Sequence, residues 1–208
     1  MEKLKIFTED YKQIGVALRD EAHHFGYWHE VFHCWVIEWI EEEWYIYLQL
    51  RSKRKKDYPR QFDITAAGHL LSHEGIEDGI RELQEELGLP TAFCDLHPLG
   101  MIPYKIENTS IKDYEFAHVF GYIGKGGFDQ FTIQEEELDG IYRLPLEAFL
   151  QLVNGTVTAV EMEGYELVHT EKIYDRKGLT LTNMETLPVG YRISFVEKIT
   201  KWLGEHRY

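Results

Sequence analysis

"GHLLSHEGIEDGIRELQEELGL", residues 68–89, is the stretch on which the reading of the whole chain turns. Glu82, Glu85 and Glu86 fall within five residues of one another, and the stretch ends in a helix stop, Gly88 after Leu87 with Pro90 beyond. The spacing predicts a helix from about Ile76 to Leu87. At about 100° per residue, with Ile76 at zero, Ile80, Leu83 and Leu87 fall within about 40° of Ile76 and make one core stripe. Glu85, Asp78, Glu82 and Glu86 fall between about 180° and 280° on the same wheel, a face largely opposite that stripe. Glu82 and Glu86 are i, i+4 neighbours, about 5–6 Å apart at Cβ. Two such charges repel by about 3 kcal/mol at an effective dielectric near 20. Arg81 offsets part of this by pairing with Glu85, also at i, i+4, but one arginine cannot neutralise the set. A divalent cation can, because Mg²⁺ prefers carboxylate oxygens and keeps water and substrate phosphate as its other ligands. The competing reading is a plain solvated acidic face.

The stretch resembles the Nudix box, Gly-x5-Glu-x7-Arg-Glu-U-x-Glu-Glu-x-Gly-U with U aliphatic. Gly68 and Glu74 match the first part, and Arg81, Glu82, Leu83, Glu85, Glu86, Gly88 and Leu89 match the whole second part. Six residues stand between Glu74 and Arg81 where the motif has seven. The resemblance implies a loop–helix–loop in which Glu82, Glu85 and Glu86 are metal ligands for Mg²⁺ or Mn²⁺. It also implies that Gly68 lends a backbone carbonyl to the metal and that Arg81 orients the carboxylates. Metal held there neutralises a diphosphate and lowers the pKa of a bound water. The reaction implied is hydrolysis of a nucleotide-type or other organic diphosphate.

The resemblance continues outside the box. "DEAHHFGYWHEVFHCWVI", "YLQLRS" and "FDITAAGHLL" are similar to the Nudix subgroup that includes isopentenyl-diphosphate isomerase, so that about residues 1–155 are covered. That enzyme needs a cysteine just before its box, where this chain has Ala66-Ala67-Gly68-His69. Hydrolysis is therefore favoured over an isomerase-like reaction, with an inactive ligand-binding module as a third alternative. Histidines from these regions bind a metal in the isomerase. Here His29 and His33 point to one face of a strand, no third ligand stands at tight spacing, and the pair reads as pocket lining. His69, beside the box glycine, is a candidate substrate contact. Arg51 closes a strand at the mouth of the site and is expected to bind substrate phosphate, which suits bidentate arginine. In the acidic run "IQEEELDG", residues 133–140, the resemblance implies a general base or an extra metal ligand at Glu135 or Glu136, with Glu136 taken as the catalytic candidate and an exposed acidic loop as the competing reading.

The rest of the chain bounds these readings. There are 208 residues, 44% of them hydrophobic, so a sizeable core is available. With 22 basic and 36 acidic residues the net charge is −14, which disfavours nucleic acid and anionic membrane as partners. Cys34 and Cys94 fit no zinc spacing, no signal-peptide or membrane-spanning run is read, and a reduced, cytoplasmic setting is expected. The aromatic-rich termini leave room for a homodimer.

The order of elements is also legible. A hairpin turning at Glu9-Asp10 precedes a short helix. A second hairpin, "VFHCWVIEWI" with "WYIYLQLRS", flanks Glu41–Glu43. The box follows, then the strands "HPLGMIPYKI" and "YEFAHVFGYIG" joined by a polar turn, a short strand "GIYRLP" and the helix "LEAFLQLV". A β-like piece "TAVEMEGYELV" leads to a final helix with Phe195, Val196, Ile199, Trp202 and Leu203 at helical spacing. The expected fold is α/β: a Nudix α/β/α sandwich with a mixed sheet. One domain is expected, with residues 1–30 as an N-terminal hairpin and helix extension, 31–155 as the core and 156–208 as a C-terminal appendage.

Overall fold

The structure, a computed structural model, describes residues 2–108 and 112–205. The chain opens with an antiparallel hairpin, β1 (Lys3–Phe7) and β2 (Gln13–Leu18), followed by α1 (Arg19–Phe25). β3 (His29–Ile40) and β4 (Glu43–Arg51) form the second hairpin, turning through Glu41 and Glu42 at positive φ. β5 (Phe62–Ile64) and β6 (Ala66–His69) lead into the box, where a 3₁₀ segment (Ile76–Ile80) runs into α2 (Arg81–Leu87). Then come β7 (His97–Glu107), β8 (Lys112–Ile123), β9 (Leu138–Pro145) and α3 (Leu146–Val153). β10 (Val160–Val168), β11 (Glu171–Leu179) and α4 (Val189–Glu205) follow. The polar turn read between β7 and β8 falls at residues 109–111, outside the described residues.

The main sheet has the order β11-β10-β9-β4-β3-β8-β7, with β5 beside β4 and β6 beside β3. β3 and β8 run parallel while the neighbouring pairs are antiparallel, so the sheet is mixed as expected. Alternation along β3 creates the two layers. Val31, Trp35 and Ile37 join α3 and α4 in one core, with Phe149, Phe195, Ile199 and Trp202. Phe32, Cys34 and Val36 join Leu83 and Leu87 of α2 in the other. A period of two along the strand thus puts helices on both faces, the expected α/β/α sandwich. Residues after 155 are built into these layers: β10 pairs with β9, and α4 closes one core. No helix among the described residues is long and apolar enough to cross a membrane.

Two features position the site. The N-terminal hairpin is strapped across the box loop: Ser72 N–H donates to the Lys3 carbonyl at 2.7 Å, and Lys5 Nζ to the Glu74 carbonyl at 2.5 Å. Its tip is held by Tyr11, whose hydroxyl donates to Glu30 at 2.6 Å. The second feature corrects the sequence reading. The single helix expected over Ile76–Leu87 is a 3₁₀ segment followed by an α-helix. A 3₁₀ turn is tighter than an α turn, and here it spans the connection that is one residue short. The helical wheel therefore loses its phase at its first residue alone, since Ile80, Leu83 and Leu87 still pack together in the core. Ile76 is 37% exposed, not core, while Glu82 and Glu86 are only 8% and 5% exposed. They face protein and pocket rather than bulk water.

Gly79 makes the tight turn fit, because a Cβ there would lie 2.6 Å from the Phe32 side chain. Gly79→Ala should cost about 1–3 kcal/mol by overpacking, read as a lower melting temperature and denaturant midpoint. A variant that melts with the wild type would contradict this packing.

Candidate active site

β6 brings Ala67, Gly68 and His69 against α2. Glu86 Oε2 accepts the Ala67 backbone N–H at 3.2 Å. Glu82 lies over Gly68 so closely that a Cβ there would stand 2.0 Å from its Oε1. Only glycine leaves that space open. Arg81 ties the carboxylates together. Its Nε donates to Glu74 Oε1 at 2.8 Å, its Nη1 to Glu85 Oε2 at 3.0 Å, and its Nη2 to the His69 carbonyl at 2.9 Å. Nη1 also stands 2.6 Å from Glu82 Oε1. Glu74 thus reaches Arg81 despite the short connection.

The electrostatics of this group are unresolved within the protein. Burial pushes the Glu82 carboxyl up to about 7, with the charges of Glu85 and Glu74 adding to it and Arg81 opposing. Burial and the neighbouring Glu82 also hold Glu86 well above the usual carboxylate range. Glu85 is exposed. Two buried acids beside a glycine-made gap fit a divalent cation, which would supply the charge that Arg81 alone cannot.

A second group was not anticipated as a set. His23, His29, His69 and Asp113 place one ligand atom each within 4.8 Å of one another. The rings of His23, His29 and His69 are 5.1–5.2 Å apart, centroid to centroid. His29 Nδ1 donates to the Tyr27 carbonyl at 2.9 Å, which fixes Nε2 as the bare nitrogen facing the group. That Nε2 and Asp113 Oδ1 are buried and have no hydrogen-bond partner, although they lie 3.4 Å apart. Burial lowers the pKa of His69 and His23, so these imidazoles are neutral, the form that ligates metal. The donor set of three nitrogens and a carboxylate fits a transition-metal ion. His29 and His33 do share a face, as read. Four residue steps along the strand set their Cα atoms about 13 Å apart, however, too far to converge on one ion. His23, from α1, and Asp113, from β8, complete the set instead. They come from separate elements with no spacing signal.

The box and the histidine group open into one cavity of about 300 Å³. Arg51 lines it, but its three donor nitrogens are engaged by Asp63 at 3.0 Å and by the carbonyls of Tyr58 and Asp57 at 3.2 and 3.0 Å. In this arrangement it shapes the loop after β4. Lys55 lies on the wall and pairs with Glu137. Glu136 is not on that wall: its side chain is 66% exposed and pairs with Arg54. Gln134 and Glu137 from the same turn face the cavity, while Glu135 does not. An acidic run gives no sign of which member a turn directs inward. Tyr104 and Glu115 form part of the floor, joined by a hydrogen bond from the tyrosine hydroxyl.

Comparisons with known proteins bear on the family and the fold. No protein-family model matches the chain. It is 35% identical over 164 residues to an uncharacterized Nudix hydrolase of Clostridium acetobutylicum, covering 79% of this chain and 80% of that one. It is 29% identical over 157 residues to Nudix hydrolase 3 of Arabidopsis thaliana, covering 71% of this chain but 20% of that much longer protein. Among solved structures, a C. elegans Ap4A hydrolase superposes with a TM-score of 0.52 at 11% identity, over 85% of this chain and 98% of its own. A MutT protein from Methanosarcina mazei gives 0.51 at 17%, over 84% and 94%. At such identities the structures speak for the fold alone.

The raised Glu82 pKa sets a pH dependence. Between pH 4.5 and about 7 the unfolded chain has lost this proton and the folded chain keeps it, so stability falls as pH rises through that window. In chelator, the wild type should lose stability relative to Glu82→Gln across this range, measured by denaturant midpoints. A difference that stays flat with pH would contradict the burial of an ionisable Glu82.

Proposed function

The chain belongs to the Nudix hydrolase family, and on that premise we propose that it is a metal-dependent pyrophosphohydrolase acting on a nucleotide-type or other organic diphosphate. The observation that carries the reading is the pair of buried carboxylates, Glu82 and Glu86, at the wall of a cavity that also holds Lys55 and Arg81. Glu82, Glu85 and Glu86, with the Gly68 carbonyl, would hold Mg²⁺ or Mn²⁺, which when bound neutralises diphosphate and activates water. Arg81, braced by Glu74, keeps Glu82 and Glu85 in place. Lys55 and Arg51 bring positive charge to the side of the cavity that would receive phosphate. Glu137 takes the proton-accepting part first read for Glu136, since it is the acidic side chain of its loop that faces the cavity. The group of His23, His29, His69 and Asp113 would hold a second, nitrogen-ligated cation. With it in place, His69 is a metal ligand rather than a substrate contact.

The similarity of residues 1–155 to the isomerase subgroup motivates a control. Moving a double bond needs two acid–base groups flanking the alkene. β3 pairs Cys34 with Ala66 and His33 with Ala67, and Cys34 is fully buried. Ala66 and Ala67 can carry no proton.

Phosphate release should be screened over nucleotide sugars, dinucleotides, nucleoside di- and triphosphates and coenzyme diphosphates. Activity is expected with Mg²⁺ or Mn²⁺, none in chelator, and a loss of several orders of magnitude in Glu86→Gln with the fold kept. Full turnover in chelator or an active Glu86→Gln would sink the assignment. Proton NMR with isopentenyl diphosphate and Mg²⁺ should show no dimethylallyl diphosphate above the Glu86→Gln control. Its appearance would mean the wrong reaction class.

A further inference from the structure

The box and the histidine group do not use α4, yet the first turn of that helix packs against His33 and Tyr104, which line the cavity. Tyr191 is fully buried, and its hydroxyl oxygen stands 3.2 Å from Trp35 Nε1 and 3.0 Å from His33 Nδ1. An indole N–H can only donate, so the phenol oxygen accepts from Trp35. The hydroxyl's own proton then has one acceptor among the described residues, His33 Nδ1. Burial keeps the His33 imidazole neutral, with its pKa pushed down to about 3. A neutral imidazole that accepts at Nδ1 carries its proton at Nε2. The other tautomer would leave the buried tyrosine O–H without an acceptor, which is unfavourable.

His33 Nε2 faces Glu115 Oε2 at 3.9 Å, and the same oxygen accepts the Tyr104 hydroxyl. Glu115 Oε1 faces the other way, 3.8 Å from His29 Nε2 and 4.0 Å from His69 Nε2. Oε2 of Glu115 is thus bonded by Tyr104 and faced by His33, and Oε1 faces the histidine group. We infer that Tyr191 is a positioning residue: it fixes His33 as the Nε2–H tautomer, so that His33 turns an N–H rather than a lone pair toward Glu115 Oε2, 3.9 Å away, while Oε1 stays turned toward the His23–His29–His69–Asp113 group. Its functional consequence rests on the second cation site proposed above. The logic is that of outer-shell partners, which hold metal-facing groups in orientation and whose loss typically costs 10- to 100-fold in affinity.

The test uses the full chain in a Glu82→Gln/Glu86→Gln background, which removes both buried acids of the box site. Long-range ¹H–¹⁵N spectra of histidine-labelled, metal-free protein should show His33 as the neutral Nε2–H tautomer, and Tyr191→Phe should abolish that preference. Mn²⁺ affinity, read by electron paramagnetic resonance, should fall about 10-fold in Tyr191→Phe. His33→Gln keeps an N–H donor without a tautomer to choose, so adding Tyr191→Phe to it should leave Mn²⁺ affinity unchanged. An Nδ1–H tautomer in the starting protein would overturn the inference. So would an equal loss of affinity from Tyr191→Phe in both backgrounds, the mark of a packing role alone. A Tyr191-competent protein that keeps the tautomer yet binds no Mn²⁺ would overturn the second cation site and the functional half of the inference, leaving the tautomer assignment standing.

Discussion

Two carboxylates are held out of water with too little positive charge to match them. Glu86 accepts one backbone N–H, from Ala67, and Glu82 shares Arg81 with Glu74 and Glu85. Buried acids without full compensation are expensive, and the surrounding structure is arranged to keep them there. Gly68 leaves room for the Glu82 carboxylate, and Gly79 lets the short 3₁₀ turn press against Phe32. Leu83 and Leu87, on the other side of α2, anchor it in the core beneath. The N-terminal hairpin completes the brace through Lys3 and Lys5, which bond to the loop carrying Glu74. The destabilisation of the acid pair is thus carried by packing elsewhere, the usual arrangement at a site whose charge is completed by a ligand.

One strand end serves two kinds of ligand chemistry. Ala67 and Gly68 meet the box carboxylates, and the next residue, His69, joins His23, His29 and Asp113. The first group is all oxygen and suits a hard cation. The second is mostly imidazole nitrogen and suits a transition metal. Because both open into one cavity, small shifts of β6 would move them together. Arg81 already links them by donating to the His69 carbonyl while it holds Glu74 and Glu85.

Much of this was legible in the sequence, and what was not has physical causes. The box residues announced the helix, the acids that it brings together and the sandwich fold, and the early hairpins followed from alternation and turn residues. The wheel drawn from Ile76 misplaces only Ile76 itself, in the 3₁₀ turn; Ile80, Leu83 and Leu87 do pack in the core with the carboxylates opposite, but no wheel shows that β6 and Arg81 cover that opposite face, which is why Glu82 and Glu86 are buried. β11 was missed because an edge strand with mostly exposed positions, "EKIYDRKGL", carries no apolar alternation. The group of three histidines and Asp113 was invisible because α1, β3, β6 and β8 each contribute one residue and tertiary structure alone brings them together. Glu136 and Glu137 could not be told apart from composition, and a turn decides which one faces the cavity. Tyr191 carried no functional signal at all: a tyrosine on an amphipathic helix reads as core.

The central claim is that the buried box carboxylates are destabilising until a cation joins them. Thermal melting of the wild type and of a Glu82→Gln/Glu86→Gln double variant, each in chelator and in millimolar Mg²⁺ at pH 8, tests it directly. In chelator the double variant should melt above the wild type, because it buries two neutral amides in place of two acids. Mg²⁺ should raise the wild-type melting temperature by mass action on the native state and leave the double variant unmoved. A wild type that is already the more stable protein in chelator, and that Mg²⁺ does not shift, would contradict the account.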